Sequence, residues 1–189
     1  MNTINLRVIT FLLLLISIWS CKAQNLPLNT ALENIPNNAH IKDFNNDLNP
    51  YIGIYKSNFQ GNEITLFITK EENKLMNYGN QIFYSDVLVG KYIVKNPLGQ
   101  ILQDTANNNT AVELYSTSIS TSQNIATFYY GGTNCGVGWG DIYLKKINTN
   151  QISWEYRPDD TIIDSNRCPA GTDINIYLPE TKDLIFTKQ

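Results

Sequence analysis

The chain contains one histidine, His40, and three cysteines among 189 residues. A lone histidine with no cysteine or second histidine beside it does not build a zinc site, and it supplies no imidazole to activate a nucleophile elsewhere in the sequence. Charge is sparse as well: 14 Lys and Arg against 17 Asp and Glu, with charged residues at 16%. A formal net charge of −3 and no basic stripe argue against nucleic acid as a partner. No block of one charge sign marks a disordered tail. After residue 50 no helical period is sustained. The one glycine-rich stretch, Gly131–Gly140, contains no Gly-Lys-Ser/Thr and leads into strand-like Asp141–Ile147, so neither a P-loop nor a dinucleotide fold is expected. No metal, cofactor or catalytic residue is assigned.

What the chain has is β-forming sequence. Apolar residues make up 42%, enough for one domain with a sizeable core. Tyr51–Lys56, Glu63–Lys70 and Ile82–Lys95 are rich in β-branched and aromatic residues, and turn formers separate them at Asn58 and Gly61, Glu71–Asn73 and Asn96–Gly99. Further strands are expected at Gly99–Thr105, Ala111–Tyr115, Ile125–Tyr130, Asp141–Ile147, Ile152–Arg157, Ile174–Leu178 and Leu184–Thr187. Ser116–Ser122 reads as a link. The expectation is an all-β domain over residues 48–189: an antiparallel meander of about nine or ten strands, closed as a barrel or strongly curved.

Residues 1–20 read as a signal peptide. Arg7 supplies the positive end, Val8–Trp19 the apolar segment, and Ile18-Trp-Ser-Cys21 resembles a bacterial lipobox that would place diacylation on Cys21. Cleavage after Ala23, giving a secreted or periplasmic soluble protein, and an uncleaved anchor are the alternatives. Gln24–Leu48, with Pro27, Pro36 and several Asn, reads as a tether (residues 21–47 in the domain division), with His40 solvated within it and one short helical turn in Ala39–Asn46. The expected location is the cell envelope, through a lipid anchor in its outer membrane.

Gly53-Ile-Tyr55, the Tyr84–Tyr92 core of Ile82–Thr105 and the Ser-Cys-Lys-Ala-Gln end of the leader together resemble a family of uncharacterised Bacteroidota envelope lipoproteins, a domain of unknown function. That resemblance implies no activity and transfers no catalytic residues. Gly-x-Tyr opening a meander is also similar to lipocalin-like barrels.

Candidate chemistry is limited. Cys135 and Cys168 are two cysteines of an exported domain and are expected to form a disulfide. Asp159, Asp160, Asp164 and Asp173 match no calcium-loop spacing. Glu63, Asp86, Glu113 and Glu155 are isolated on strands. Asp104-Thr-Ala106 and Asp160-Thr-Ile162 resemble a short O-glycosylation acceptor. Tyr129, Tyr143, Trp154 and Tyr156 are the candidate ligand-facing aromatics, for a small apolar or glycan ligand; as an aromatic core they would instead fill the sheet interior. The function expected is non-catalytic binding or interaction at the envelope. A lipocalin-like carrier and a carboxylate-dependent envelope hydrolase are the alternatives.

Overall fold

The computed structural model describes residues 24–107, 112–164, 166 and 168–189. The expected leader and Cys21 lie outside them, as do Ala111 and the end of the Asn107–Asn109 loop. Among the described residues there are eleven strands: β1 Asn25–Pro27, β2 His40–Lys42, β3 Gly53–Phe59, β4 Asn62–Asn77, β5 Ile82–Lys95, β6 Ile101–Asp104, β7 Leu114–Ser120, β8 Ile125–Tyr130, β9 Gly140–Lys146, β10 Gln151–Tyr156 and β11 Thr181–Lys188. The protein is all-β.

Eight of these strands close a ring in the order β5-β4-β3-β11-β10-β9-β8-β7 and back to β5, each neighbour antiparallel. The two joints made by distant segments are short. β11 meets β3 at Thr187–Lys56 and Lys188–Tyr55, and β7 meets β5 at Tyr115–Val89. At the second joint the Leu88 amide donates to Ser116 Oγ at 2.8 Å. The close approach there requires Gly90, because a Cβ at that position would lie 2.5 Å from Leu114 Cδ2.

An eight-stranded barrel is just wide enough for side chains to fill its interior, and they do. Alternation sends Ile64, Leu66 and Ile68 inward from β4, Leu88, Tyr92 and Val94 from β5, Phe128 and Tyr130 from β8, and Ile152, Trp154 and Tyr156 from β10, all in one buried cluster. Each large apolar side chain so buried contributes about 1.5–3 kcal/mol from area alone. Buried tyrosines also carry a hydroxyl that must be satisfied. Tyr55 donates to Tyr51 O at 3.0 Å, Tyr92 to Gln103 Oε1 at 2.8 Å, Tyr156 to Gly138 O, and Trp154 Nε1 donates to Pro179 O at 2.9 Å. The core rings thereby hold the loops that close the barrel.

Several expected boundaries shift. β5 and β8 fall where the sequence places them, whereas Tyr51 ends a 3-10 turn and β3 begins at Gly53. The expected turn at Glu71–Asn73 is a bulge within β4, which runs on to Asn77 and reverses at Tyr78–Gln81. Asn73 takes φ +55° there, and its amide donates to Asp86 Oδ1 at 3.1 Å. The Ser/Thr-rich link is mostly strand, since β7 continues to Ser120. Ile174–Leu178 is not a strand. β11, the strand that follows it, already pairs with β10 on one edge and β3 on the other and offers this segment no free edge.

Gln24–Leu48 is not a free tether. β2 pairs parallel with β5 (His40–Tyr84, Ile41–Ser85) and β1 pairs parallel with β2. Together with the end of the β4–β5 hairpin the segment buries Ile35, Ala39, Ile41, Met76 and Phe83 in a second core. Asn and Pro content predicts a linker, but apolar residues at 35, 39 and 41 outweigh it once a strand edge is available. His40 is not a solvated linker residue either: its ring stacks on Tyr84 at 4.9 Å and Nδ1 shares a 2.8 Å hydrogen bond with Asn73 Oδ1.

Candidate functional site

The sequence places four aromatics together, and the structure separates them onto two faces. Trp154 and Tyr156 point inward; they are 1% and 0% exposed, packed on Phe186 and Tyr130. They form core, not a ligand wall. Tyr129 and Tyr143 point outward, because Tyr129 pairs with Asp141 and Tyr143 with Glu155, while the inward Tyr156 pairs with Ile142. The period of two in a strand decides this: aromatics at odd and even offsets on neighbouring strands cannot share one surface unless the register allows it.

The glycine-rich stretch is a loop that caps the barrel. Gly138 has φ +82°, and a Cβ there would meet the Tyr156 hydroxyl at 3.0 Å, so glycine is what lets its carbonyl accept from Tyr156. Cys135 and Cys168 are bonded, with Cα atoms 5.5 Å apart, fastening this loop to the segment that follows β10. Neither sulfur is free to act as a nucleophile. Asp164 and Asp173 serve local turns, accepting from the amides of Asn166 and Asn175. Among the described residues no three His, Cys, Asp or Glu side chains gather in a way that would hold a metal ion. Thr105 is buried with its hydroxyl between the Tyr92 amide and carbonyl, so the acceptor hydroxyl of the first glycosylation-like triplet is sealed inside.

Two carboxylates that looked isolated or unremarkable in sequence form a buried polar joint. Asp86 accepts from Lys42 Nζ at 2.8 Å and from the amides of Asp43 and Asn73 at 3.1 Å. Burial pushes its carboxyl up, but Lys42 and the two amides outweigh that and hold it below the usual carboxylate range. Asp43 pairs with Lys70 at 3.0 Å and caps the Asp47 amide at 2.7 Å. These groups lock β2 to the β4 bulge. With three donors on each carboxylate, they are structural.

The feature with the character of a site is an outer groove of about 560 Å³ between the end of the β4–β5 hairpin and strands β7–β9. Tyr78, Tyr115 and Tyr129 supply its rings, Glu113 and Asp141 its carboxylates, and Lys74 and Asn77 its donors. The Tyr115 and Tyr129 rings lie 5.6 Å apart, and Lys74 Nζ sits 5.5 Å from the Tyr115 centroid. Burial, then neighbouring Tyr78, Glu113 and Tyr129, push the Tyr115 hydroxyl up to about 12. The site is therefore crowded with aromatic and anionic groups. Of its residues the sequence had singled out Tyr129 as an aromatic and Glu113 as a strand carboxylate. Tyr78, Tyr115 and Lys74 were missed because the bulge that carries the β4–β5 hairpin over β7 has no signal beyond Asn73. A smaller hollow of about 210 Å³ lies at the β5–β7 fork under Leu28–Leu32.

No curated protein and no solved structure is detectably similar to the chain. Residues 5–189 match the model of a family of unknown function, DUF6705, and the chain belongs to that family.

Proposed function

We propose that this protein is a non-catalytic binding protein of the cell envelope, anchored through lipid on Cys21, that holds a polar ligand in its outer groove. The observation that carries the reading is the convergence of three tyrosine rings and two carboxylates on one groove of about 560 Å³. Aromatic faces with a few placed polar groups are the usual composition of small-molecule sites. Rings of this kind stack on the C–H faces of sugars while carboxylates accept from their hydroxyls. A lipocalin-like carrier would keep its ligand inside the barrel, and here Tyr55, Tyr92, Tyr130, Trp154 and Tyr156 occupy that space. The envelope location rests on the lipobox-like Ser20-Cys21 after the apolar segment.

The test uses the intact protein and a neutral, delipidated extract of bacterial envelope glycans. Isotope-labelled protein should show chemical-shift changes confined to the groove tyrosines, and Tyr129→Ala should move their titration to about tenfold higher ligand concentration without lowering Tm. Shifts at core rings instead of groove rings would reject the site, and release of shortened glycans would replace binding with hydrolysis by Glu113 and Asp141. For the anchor, Cys21→Ala should free the protein from membranes; a mature mass without a lipid adduct overturns that part.

A further inference from the structure

We propose that the groove is one end of an extended track on the outer face that takes a neutral oligosaccharide laid across the strands. This rests on the binding reading above and adds the ligand's class, length and direction.

Strand register carries the direction. Tyr115 on β7 pairs with Tyr129 on β8, and Tyr129 pairs with Asp141 on β9. Arg157 directly follows Tyr156, whose partner Ile142 directly follows Asp141. The outward side chains at these positions therefore form a row across β7, β8, β9 and the end of β10. With neighbouring strands about 4.8 Å apart, four strands span about 14 Å, more than one sugar ring covers. Asp141 is also shared by two hollows. It lines the groove, and it lines a second hollow of about 210 Å³ with Tyr143, Glu155, Arg157 and Asp159. The second hollow has its own exposed ring: Tyr143 is 40% exposed, with its hydroxyl pushed up by burial and then by Asp141 and Glu155.

The lining selects the class. Glu113, Asp141, Glu155 and Asp159 outnumber Lys74 and Arg157 along the track, which disfavours phosphates, uronates and other anions. A cationic ligand meets opposition too. Lys74 already occupies the Tyr115 face, and Arg157 stands at the far hollow, so each end carries a resident cation. An apolar chain would strip water from four carboxylates without replacing their hydrogen bonds. A neutral polyol has none of these costs. Each hydroxyl both donates and accepts, so it can give to the carboxylates and take from Lys74, Asn77 or Arg157, while ring faces stack on Tyr129 and Tyr143.

The experiment is a length series. Neutral β-1,4-linked glucose and N-acetylglucosamine oligomers, from monosaccharide to hexamer, are titrated calorimetrically into the intact soluble domain with its N-terminal strands. Affinity should rise with length until the track is filled and then level off, and should change little between low and high salt, as uncharged ligands require. Tyr129→Ala should weaken every oligomer by about tenfold, the scale of one lost stacking contact. Tyr143→Ala should weaken the longer oligomers by a similar factor and leave the shortest unchanged, with Tm preserved in both variants. That split separates a second subsite from a structural role for Tyr143. Length-independent affinity, equal loss for all lengths on Tyr143→Ala, or binding only of deacetylated cationic oligomers would overturn the proposal. Envelope extract that perturbs the groove tyrosines while no neutral oligomer binds would overturn the track and its ligand class, yet leave the binding reading standing.

Discussion

The phenol oxygens of Tyr92 and Tyr130 lie 2.7 Å apart in the barrel core. Tyr92 also contacts Gln103 Oε1 at 2.8 Å, an atom that only accepts, so the Tyr92 proton goes to Gln103 and Tyr130 donates to Tyr92. The direction of this chain makes the two tyrosines unequal. Tyr130→Phe leaves Tyr92 with its acceptor and should cost about 1 kcal/mol. Tyr92→Phe leaves both the buried Tyr130 hydroxyl and Gln103 without their partner and should cost about 1–3 kcal/mol. Urea unfolding of the two variants measures the difference; equal losses would contradict the assigned direction.

The same tyrosines set the alkaline limit of stability. Burial pushes Tyr130 up to about 12, against an ordinary value of 10.0, although the Tyr92 hydroxyl, turned to donate to the ionised Tyr130 oxygen, pulls it back somewhat. Tyr92 and Tyr156 are raised too, by burial first and then by their tyrosine neighbours. The unfolded chain releases these protons near pH 10 and the folded chain does not. Between those values the native state binds more protons, so stability, complete below about pH 10, falls as pH rises through the folded values. Base titration followed by near-ultraviolet absorbance should show these rings ionising together with unfolding, and Tyr130→Phe should flatten the slope. Reversible ionisation of all eleven tyrosines in a folded protein would refute it.

The Cys135–Cys168 bridge closes a separation of 33 residues, for which chain entropy gives about 3–4 kcal/mol. Cys135→Ser with Cys168→Ser should lower stability by roughly that amount. The loss should begin in the capping loop, where Gly138 accepts from Tyr156. Hydrogen exchange should quicken there before it quickens in β4 and β5. An unchanged midpoint in both buffers, with and without reductant, would show the loop to be held by other contacts.

Where the sequence was legible, local pattern and tertiary outcome coincide. Ile82–Lys95 is bounded by turn formers, and β5 has those bounds. Ile125–Tyr130 alternates, and β8 has those bounds too. The Cys135–Cys168 pairing followed from two cysteines in a domain read from its sequence as exported. What could not be read depends on edges and registers. Ile41 is one apolar residue in a polar stretch until the β5 edge makes it core. Leu184–Thr187 gave too short a strand because Thr181–Asp183 join β11 through a bulge opposite Tyr156. The groove combines residues from four strands and a hairpin end, so only Tyr129 and Glu113 carried any signal in one dimension.

Trp154 and Tyr143 test the two-face assignment directly. Trp154 is 1% exposed and Tyr143 40% exposed, on adjacent strands. Trp154→Ala removes a buried ring and its hydrogen bond to Pro179, and should cost about 3–5 kcal/mol. Tyr143→Ala should stay within about 0.5 kcal/mol of wild type. Thermal unfolding of both variants checks this, and a comparable loss for Tyr143 would mean that its ring is packed rather than presented.

Acid acts on the joint at Asp86. Asp86 sits at 4% exposure between Lys42, the Asp43 amide and the Asn73 amide, and it holds the bulge of β4 to β2 alongside the direct contacts of His40 and Lys42 with Asn73. Its carboxyl is below the usual range despite burial, because the three donors favour the anion. A depressed folded value means that the unfolded chain takes up this proton first as pH falls. The stabilisation is therefore complete above the unfolded value of about 3.9 and is lost progressively as pH drops below it through the folded value. Asp86→Asn keeps the shape but loses the charge, so it should cost about 1–3 kcal/mol at neutral pH. Lys42 remains partly solvated, which keeps the loss below that of a fully buried broken pair. Measured against pH, wild type and variant should converge in acid, since protonation does to the wild type what the substitution does everywhere. Curves that stay parallel down to pH 2 would show that the joint between the N-terminal strands and the barrel does not depend on the Asp86 charge.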